Sequence, residues 1–484
     1  MRATTMQRQR FLHAALGLLT LWRWALLPTL DLAPQEAEAV FAIKHGGWGG
    51  FFGLGPLLQF FARLGIMICG ANEIGVRFFA PLLALAASLA VWRLARDLFD
   101  ETIASWTVVI VNVLPAFNLA AVTLTPATVV CALVPAAALC LRHALQETNP
   151  LHRAWGASAA CVALAQPPAF AFMAAVVLFF ALPGRLRHHL HGVGFKIIAG
   201  AWAVVVLSWL IWQRCAGFPA LAGWRWLPEW RLLPNVLRWL VLASPLMLVL
   251  LVLSVLAGFT SSMLISHRRL PMAMLLPLAA LDFFYGPHEG WPDAGAAVWM
   301  LFAAMLLAHR AAVTQTAEIE HKISLRTIAI VLAAVQSAFL VQTDLPRTLG
   351  LRWPFATHGS AAQLPGADPS GMMRGWRESA KAVSGVLEEA GGGKWFVLAA
   401  DRQLAVELDH YMGRDEAVQT PANDLRGFAG RSALYVTDEG DMPEALKKRF
   451  QSTEVLSVAR VMHAGNEVRW LKIFACHDYR PPDL

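Results

Sequence analysis

Two charged residues occupy positions in apolar sequence where a charge is costly. Asp282 lies within the apolar run 270–285, and Arg77 stands near the start of the apolar run 75–95. An acid inside a membrane segment is often functional, although exposure near the end of its helix is the alternative for Asp282. A basic group at a helix start can contact a lipid phosphate, and snorkelling to the interface is the alternative for Arg77. Arg77 is therefore a candidate phosphate ligand.

Other residue types that carry chemistry form no recognisable site. The six cysteines are scattered without CxxC spacing, so neither a zinc site nor a disulfide framework is expected. His188, His189 and His191 stand beside Arg185 and Arg187, a composition that favours a basic loop near anionic lipid over a metal site. HExxH, GxSxG and phosphate-binding glycine loops are absent from the sequence. The sequence thus offers no metal-binding residues by motif and predicts no cofactor, and it leaves metal dependence open.

The composition indicates that lipid surrounds much of the chain. Of 484 residues, 57% are hydrophobic and only 15% are charged, against about 25% charged in soluble domains. The mean hydropathy is +0.50. A net charge of +7 is compatible with nucleic-acid binding, but the basic residues cluster in short loops between apolar runs, as cytoplasmic loops do. Membrane lipids, and no nucleic acid, are therefore the expected partners.

Apolar runs long enough to span a bilayer predict a polytopic α-helical membrane protein with about eleven transmembrane helices. The basic loops place the N-terminus in the cytoplasm, and the odd number of helices then places the C-terminal domain outside it. The first run is read as a retained helix because no cleavage pattern follows it. The runs are 11–30, 75–95, 103–122, 126–142, 154–167, 168–183, 196–212, 235–258, 270–285, 293–308 and 325–342.

Composition also predicts the domain boundaries. Residues 1–342 form the membrane domain, and within it the glycine-rich segment 31–74 is a first outer loop with short interfacial helices. Residues 343–375 are rich in Pro, Gly and Ser and read as a linker. Strands and helices alternate in 376–484, which predicts a small extracytoplasmic α/β domain.

Five short motifs follow one another along nearly the whole chain. They are Gln35-Glu36-Ala37-Glu38-Ala39, Phe51-Phe52-Gly53-Leu54-Gly55-Pro56-Leu57, Gly75-Val76-Arg77, Asp368-Pro369 and Arg374-Gly375-Trp376-Arg377-Glu378. In this order they resemble the C-type glycosyltransferases, specifically the bacterial enzymes related to protein O-mannosyltransferases and to the lipid A aminoarabinose transferase. That family has Asp-Glu-Ala-Tyr-Tyr after the first helix, then Tyr-Tyr-Asp-His-Pro-Pro-Leu, and then Gly-Val-Arg.

The resemblance implies a polyprenyl-phosphate sugar as donor and an acceptor on the outer face of a bacterial inner membrane. A first-loop carboxylate would take the proton of the acceptor hydroxyl, and basic groups would offset the charge of the leaving phosphate. Glu36 occupies the family's Glu position and is the first candidate base, with helix capping as its alternative; Glu38 is the second. His288, beside Trp291-Pro292, is a candidate phosphate contact with Arg77.

The family's acidic positions are replaced in this chain. They fall on Gln35, Gly53 and Ala127, none of which can accept a proton as a carboxylate does. Two functions therefore stay open. The first is a membrane glycosyltransferase, and the second is a non-catalytic relative, a pseudoenzyme that binds the lipid-linked sugar or a partner. A transporter is less favoured because the sequence shows no internal repeat.

Overall fold

The computed structural model describes most of the chain, and the account below is confined to that part. The described residues are 2–45, 56–146, 232–260, 266–285, 294–315, 325–341, 373–391, 395–438, 440–463 and 466–481, with 200, 204, 207 and 211. The predicted runs 154–167 and 168–183, most of 196–212, and most of the predicted linker lie outside these residues.

The chain folds as two compact units. The helical unit comprises Met1–Leu27 and Phe51–Thr343, and the sheet unit comprises Pro28–Gly50 and Asp344–Leu484. The first outer loop is thus divided, since its first part belongs to the same unit as the C-terminal residues. The predicted domain boundaries stay predictions.

Helices fill the described part of the helical unit, where long apolar sequences must satisfy their backbone polar groups internally. They are α1 (Arg2–Leu26), α3 (Pro56–Cys69), α4 (Glu73–Arg77), α5 (Ala80–Leu98), α6 (Glu101–Val113), α7 (Pro115–Val122), α8 (Pro126–Gln146), α9 (Leu232–Ala243), α10 (Pro245–Thr260), α11 (Ser266–Tyr285), α12 (Ala294–Gln315) and α13 (Leu325–Val341). The helix numbered α2 lies in the sheet unit.

Four of the described helical segments are long and apolar enough to cross a membrane: Gln7–Thr29, Glu73–Leu98, Pro126–His143 and Ala296–Val313. A bent pair, α6 with α7, adds a fifth if it is one span. Shorter apolar helices include α10 and α13. The prediction of several apolar, membrane-length helices is therefore confirmed, whereas the predicted number of about eleven stays a prediction.

Prolines mark two breaks in the helical unit. Helices α6 and α7 meet at Leu114–Pro115 with a bend of 70°, and Leu114 is extended (φ −65°, ψ 126°) as a residue before proline prefers to be. The predicted run 235–258 is two helices rather than one, because Ser244 has a positive φ of 70° immediately before Pro245. The sequence contained this signal in its Ser-Pro pair.

The described part of the sheet unit begins with α2 (Pro34–His45) and continues after the long helical insertion. Its elements are α14 (Trp376–Glu389), β1 (Phe396–Ala399), α15 (Arg402–Met412), β2 (Ala433–Thr437), α16 (Glu444–Lys447), β3 (Phe450–His463) and β4 (Asn466–Tyr479). The four strands have the order β1-β2-β4-β3; β1 and β2 are parallel, and the other pairs are antiparallel. The predicted C-terminal sheet is therefore present, and β3 and β4 form an antiparallel hairpin within it.

The two faces of this sheet are covered differently. Helices α14 and α15 place Trp376, Val383 and Leu408 against Val397 and Ile473 on one face. The other face carries a second apolar cluster, which contains Phe396, Leu425, Tyr435, Leu446 and Phe474. Strands buried on both faces read as continuous apolar runs, and Phe-Val-Leu-Ala in β1 is such a run.

Candidate functional site

Glu36, the first candidate base, caps the N-terminus of its own helix. Pro34 opens α2, a position where the missing N–H costs nothing. The Oε2 of Glu36 accepts the backbone N–H of Ala33 at 2.8 Å, which is one half of a capping box. The side chain is fully buried. The structure therefore gives Glu36 the geometry of the capping alternative.

Glu38, the second candidate base, is joined to α15 by an arginine fork. Its Oε1 and Oε2 accept Nη2 and Nε of Arg402 at 2.8 and 3.0 Å, and the Glu38 side chain remains 29% exposed. The Arg402 guanidinium also lies 4.2 Å from the centroid of the Phe41 ring. Glu38 thus keeps solvent access that Glu36 lacks.

Three further contacts attach this part of the loop to the C-terminal residues. Oδ2 of Asp409 lies 3.1 Å from Nε2 of His45 and 3.4 Å from Nζ of Lys44. At the other end, the Leu32 N–H donates to the Tyr411 hydroxyl at 2.8 Å. Sequence reasoning missed these pairings because they join residues more than 360 positions apart.

Asp31 is a buried acid that sequence analysis did not select. Its Oδ2 accepts the Trp376 N–H at 2.9 Å, and its Oδ1 lies 3.2 Å from Nε of Arg377. Burial raises the pKa of Asp31 above its usual range, while the Trp376 N–H and the Arg377 charge oppose that rise. Trp376 and Arg377 belong to the segment Arg374-Gly375-Trp376-Arg377-Glu378, so Asp31 contacts two residues of that motif.

Arg77, the candidate phosphate ligand, lies inside the protein. Asn72 caps its short helix by accepting the Gly75 N–H at 2.8 Å. The guanidinium is fully buried, and Nη1 donates to the Leu27 carbonyl at 3.2 Å. The side chain therefore does not reach outward to solvent as a snorkelling arginine does.

The three residues at the family's acidic positions differ in their placement. Gln35 is half-buried on α2 beside Glu36. Ala127 is buried in the first turn of α8, where Thr128 donates its hydroxyl to the Ala120 carbonyl at 2.8 Å. Gly53 lies outside the described residues, as does His288. The structure places Gln35, Glu36 and Glu38 on one helix, whereas Ala127 and Arg77 belong to the helical unit.

A buried arginine stabilises the bend between α6 and α7. The Arg23 Nη2 donates to the side-chain oxygens of Asn112 and Asn118 at 3.0 and 2.7 Å. Asn118 Nδ2 in turn donates to the Asn112 carbonyl at 2.6 Å and to the Ser337 hydroxyl at 2.8 Å. The cation lies near the C-terminal end of α6, where the helix dipole favours positive charge.

Asp282 is the acceptor in a second buried cluster. Its Oδ1 accepts Nη2 of Arg238 at 2.9 Å, and its Oδ2 accepts the indole N–H groups of Trp239 and Trp299 at 2.7 and 3.2 Å. The residue is 1% exposed, so interfacial exposure is wrong for it. The carboxylate joins α9, α11 and α12. Within the described residues, no group of three or more His, Cys, Asp or Glu side chains could hold a metal ion.

Comparisons with known proteins agree with this architecture. Residues 54–212 match the family model described as dolichyl-phosphate-mannose-protein mannosyltransferase. The crystal structure of ArnT from Cupriavidus metallidurans bound to undecaprenyl phosphate is similar with a TM-score of 0.57 and 15% identity, over 96% of this chain and 97% of that chain. Its apo state gives 0.56 and 16%, over 98% of each chain. No curated protein matches the chain at the sequence level.

The molecule is thus a helical protein with several apolar helices and a small C-terminal sheet, built on the fold of ArnT. Residues 54–212 are thus similar in sequence to that mannosyltransferase family, and the described fold is similar to that of ArnT. The predicted family resemblance is confirmed at that level.

Proposed function

We propose that this protein is a multi-pass membrane glycosyltransferase that moves a sugar from a polyprenyl-phosphate donor to an acceptor outside the cytoplasm. The observation that carries the proposal is the likeness in fold, over 96% of the chain, to a structure bound to undecaprenyl phosphate. The matched family model, whose description names a dolichyl-phosphate sugar, points to the same class of donor.

The proposed reaction is a single displacement at the sugar. A carboxylate accepts the proton of the acceptor hydroxyl, whose oxygen forms the new bond to the anomeric carbon. The bond between that carbon and the phosphate oxygen breaks, and polyprenyl phosphate leaves with the electron pair. Arg77 and His288 are the proposed phosphate contacts.

Glu38 is the better of the two proposed bases. Its carboxylate keeps 29% of its side-chain surface exposed, whereas Glu36 is fully buried beneath its own helix start. The Arg402 fork would orient Glu38 in the way that an arginine orients a carboxylate through two parallel hydrogen bonds.

A second candidate function is binding of the lipid-linked sugar, or of a partner, without transfer. One observation favours it: both first-loop glutamates are engaged structurally, and neutral residues stand at Gln35, Gly53 and Ala127. Under either function we propose residence in a bacterial inner membrane, about eleven spans, a cytoplasmic N-terminus and an extracytoplasmic C-terminal domain.

Reconstituted protein, supplied with undecaprenyl-phosphate-linked sugars, tests the proposal. We expect Glu38→Gln to abolish sugar transfer and Glu36→Gln to retain it, because glutamine can still accept the Ala33 N–H. Glu416→Gln is the matched control, since Glu416 has a similar fork to Arg431 with 34% of its side chain exposed. Loss of transfer in Glu36→Gln alone would assign the base to Glu36. Binding of the donor without turnover by the unmodified protein would favour the second function.

A further inference from the structure

One amide in the helical unit is buried without a hydrogen bond to any of the described residues. Gln59 lies in the first turns of α3 and is 0% exposed, and neither its Oε1 nor its Nε2 has a partner in that part of the chain. Flipping the amide, so that its nitrogen and oxygen exchange places, would not provide a hydrogen bond, because neither atom has a partner among the described residues. The fold therefore holds a donor and an acceptor away from water without hydrogen-bond partners among the described residues, at a cost in stability.

Other side-chain amides in the helical unit are hydrogen-bonded. Asn112 and Asn118 donate and accept within the Arg23 network, and the Gln336 amide donates to the Val241 carbonyl at 2.6 Å. The neighbours of Gln59 along α3 include Leu58 and Ala62, which are both fully buried. Because leucine at this position would lose no hydrogen bond to the described residues, a structural role does not explain the amide. A buried polar group that lacks a partner is a reason to consider a ligand.

The chemistry of the amide narrows the class of ligand. A carboxamide offers two N–H donors and one acceptor oxygen. A phosphate only accepts, so it would leave Oε1 without a partner. A sugar hydroxyl both donates and accepts, and it can satisfy both atoms of the amide.

The position of Gln59 agrees with such a ligand. Helical side chains lean toward the N-terminus of their helix, so the Gln59 side chain leans toward the Pro56 end of α3. Arg63 follows Gln59 by four residues and therefore lies on the same side of α3, which places a basic group near the amide.

We propose that Gln59 binds a hydroxyl group of the sugar on the lipid-linked donor and so distinguishes the glycosylated lipid from the bare polyprenyl phosphate. This inference rests on the proposed function, and it assigns Gln59 to recognition of the sugar rather than to the transfer step.

The test compares Gln59→Leu with the unmodified protein in detergent. The probes are undecaprenyl phosphate, undecaprenyl-phosphate glucose and undecaprenyl-phosphate mannose, and both dissociation constants and the melting temperature are measured. We expect the unmodified protein to prefer at least one glycosylated lipid, and Gln59→Leu to reduce that preference about fivefold or more, as loss of one hydrogen bond would. Affinity for bare undecaprenyl phosphate should be unchanged. The melting temperature should be equal or higher, because leucine removes a buried polar group that has no hydrogen bond to the described residues.

Gln336→Leu is the matched control, because it removes an amide that is hydrogen-bonded. It should lower the melting temperature and leave the preference for the glycosylated lipid intact. The inference is overturned if Gln59→Leu keeps the preference, if the unmodified protein binds all three lipids equally, or if the melting temperature falls as it does in Gln336→Leu. Binding of none of the lipids by the unmodified protein would instead remove the proposed function.

Discussion

The side chain of Asp31 accepts the backbone N–H of Trp376 at 2.9 Å, although the two residues are 345 positions apart. This bond caps the start of α14 with a carboxylate, which is where a negative charge is stabilised by the helix dipole. Asp31 therefore ties the residues that follow the first helix to the C-terminal part of the sheet unit.

Asp31 should make the stability of the sheet unit depend on pH. Because its folded-state pKa is raised by burial, the folded chain holds this proton more tightly than the unfolded chain does. The contribution of Asp31 to stability is then largest below the unfolded pKa, about 4, and declines as pH rises through the folded pKa. We expect Asp31→Asn to flatten this decline, measured as melting temperature between about pH 4 and about pH 7.

Asp424→Asn is the control for that experiment, because its side chain is 73% exposed and should leave the pH profile as it is. An Asp31→Asn profile identical to that of the unmodified protein would show that Asp31 does not titrate differently on folding.

Removal of the Arg402 fork should loosen α2 by a small amount. Arg402→Ala removes the pair with Glu38 and the contact with the Phe41 ring. An exposed ion pair contributes about 0–1 kcal/mol, and a cation over an exposed ring about 0.5–1 kcal/mol. We expect a loss of about 1 kcal/mol in denaturant unfolding followed by a probe in the sheet unit. Arg426→Ala, in a pair whose members are 67% and 73% exposed, should have no measurable effect; equal losses in the two variants would count against the fork.

Breaking the pair of Asp282 with Arg238 should lower stability much more than removal of the Arg402 fork does. Asp282→Leu leaves a buried cation without its carboxylate, which typically costs about 3–5 kcal/mol. The double variant Asp282→Leu with Arg238→Leu should lose less, because it removes both charges. Thermal unfolding in detergent measures both.

Arg93→Leu provides the comparison, since Arg93 is 45% exposed beside Asp97 and its loss should cost under about 1 kcal/mol. A double variant less stable than Asp282→Leu would mean that the charges are not what the cluster depends on.

The proposed orientation can be tested with an engineered thiol. In a chain whose native cysteines are replaced by alanine, Asp424→Cys should react with a membrane-impermeant maleimide in intact cells, because the side chain is exposed in the sheet unit. Arg93→Cys, near the end of α5 that is assigned to the cytoplasm, should react only after the membrane is opened. The reverse pattern would invert the topology. Cys476 needs removal only as a precaution, since burial raises the pKa of its thiol to about 12.

Local patterns predicted local structure well in this chain. The alternation of helices and strands predicted in 376–484 is present as α14, β1, α15 and β2, and the N-terminus of α15 is capped by Asp401, which accepts the Leu404 N–H at 2.8 Å. The assignment of residues 28–50 to the sheet unit was not predictable, because it depends on pairs such as Glu38 with Arg402 that only the folded chain brings together. The burial of Glu36 was missed for the same reason, although its capping role was weighed.

The sheet unit is discontinuous in sequence, and this has a consequence for biosynthesis. Residues 28–50 leave the ribosome early, yet the strands that complete their unit are encoded after Thr343. Until the residues of α15 are made, the contacts of Glu38, Lys44 and His45 with that helix cannot form. The sheet unit can therefore assemble only late in synthesis, after the residues that follow Thr343 have been made.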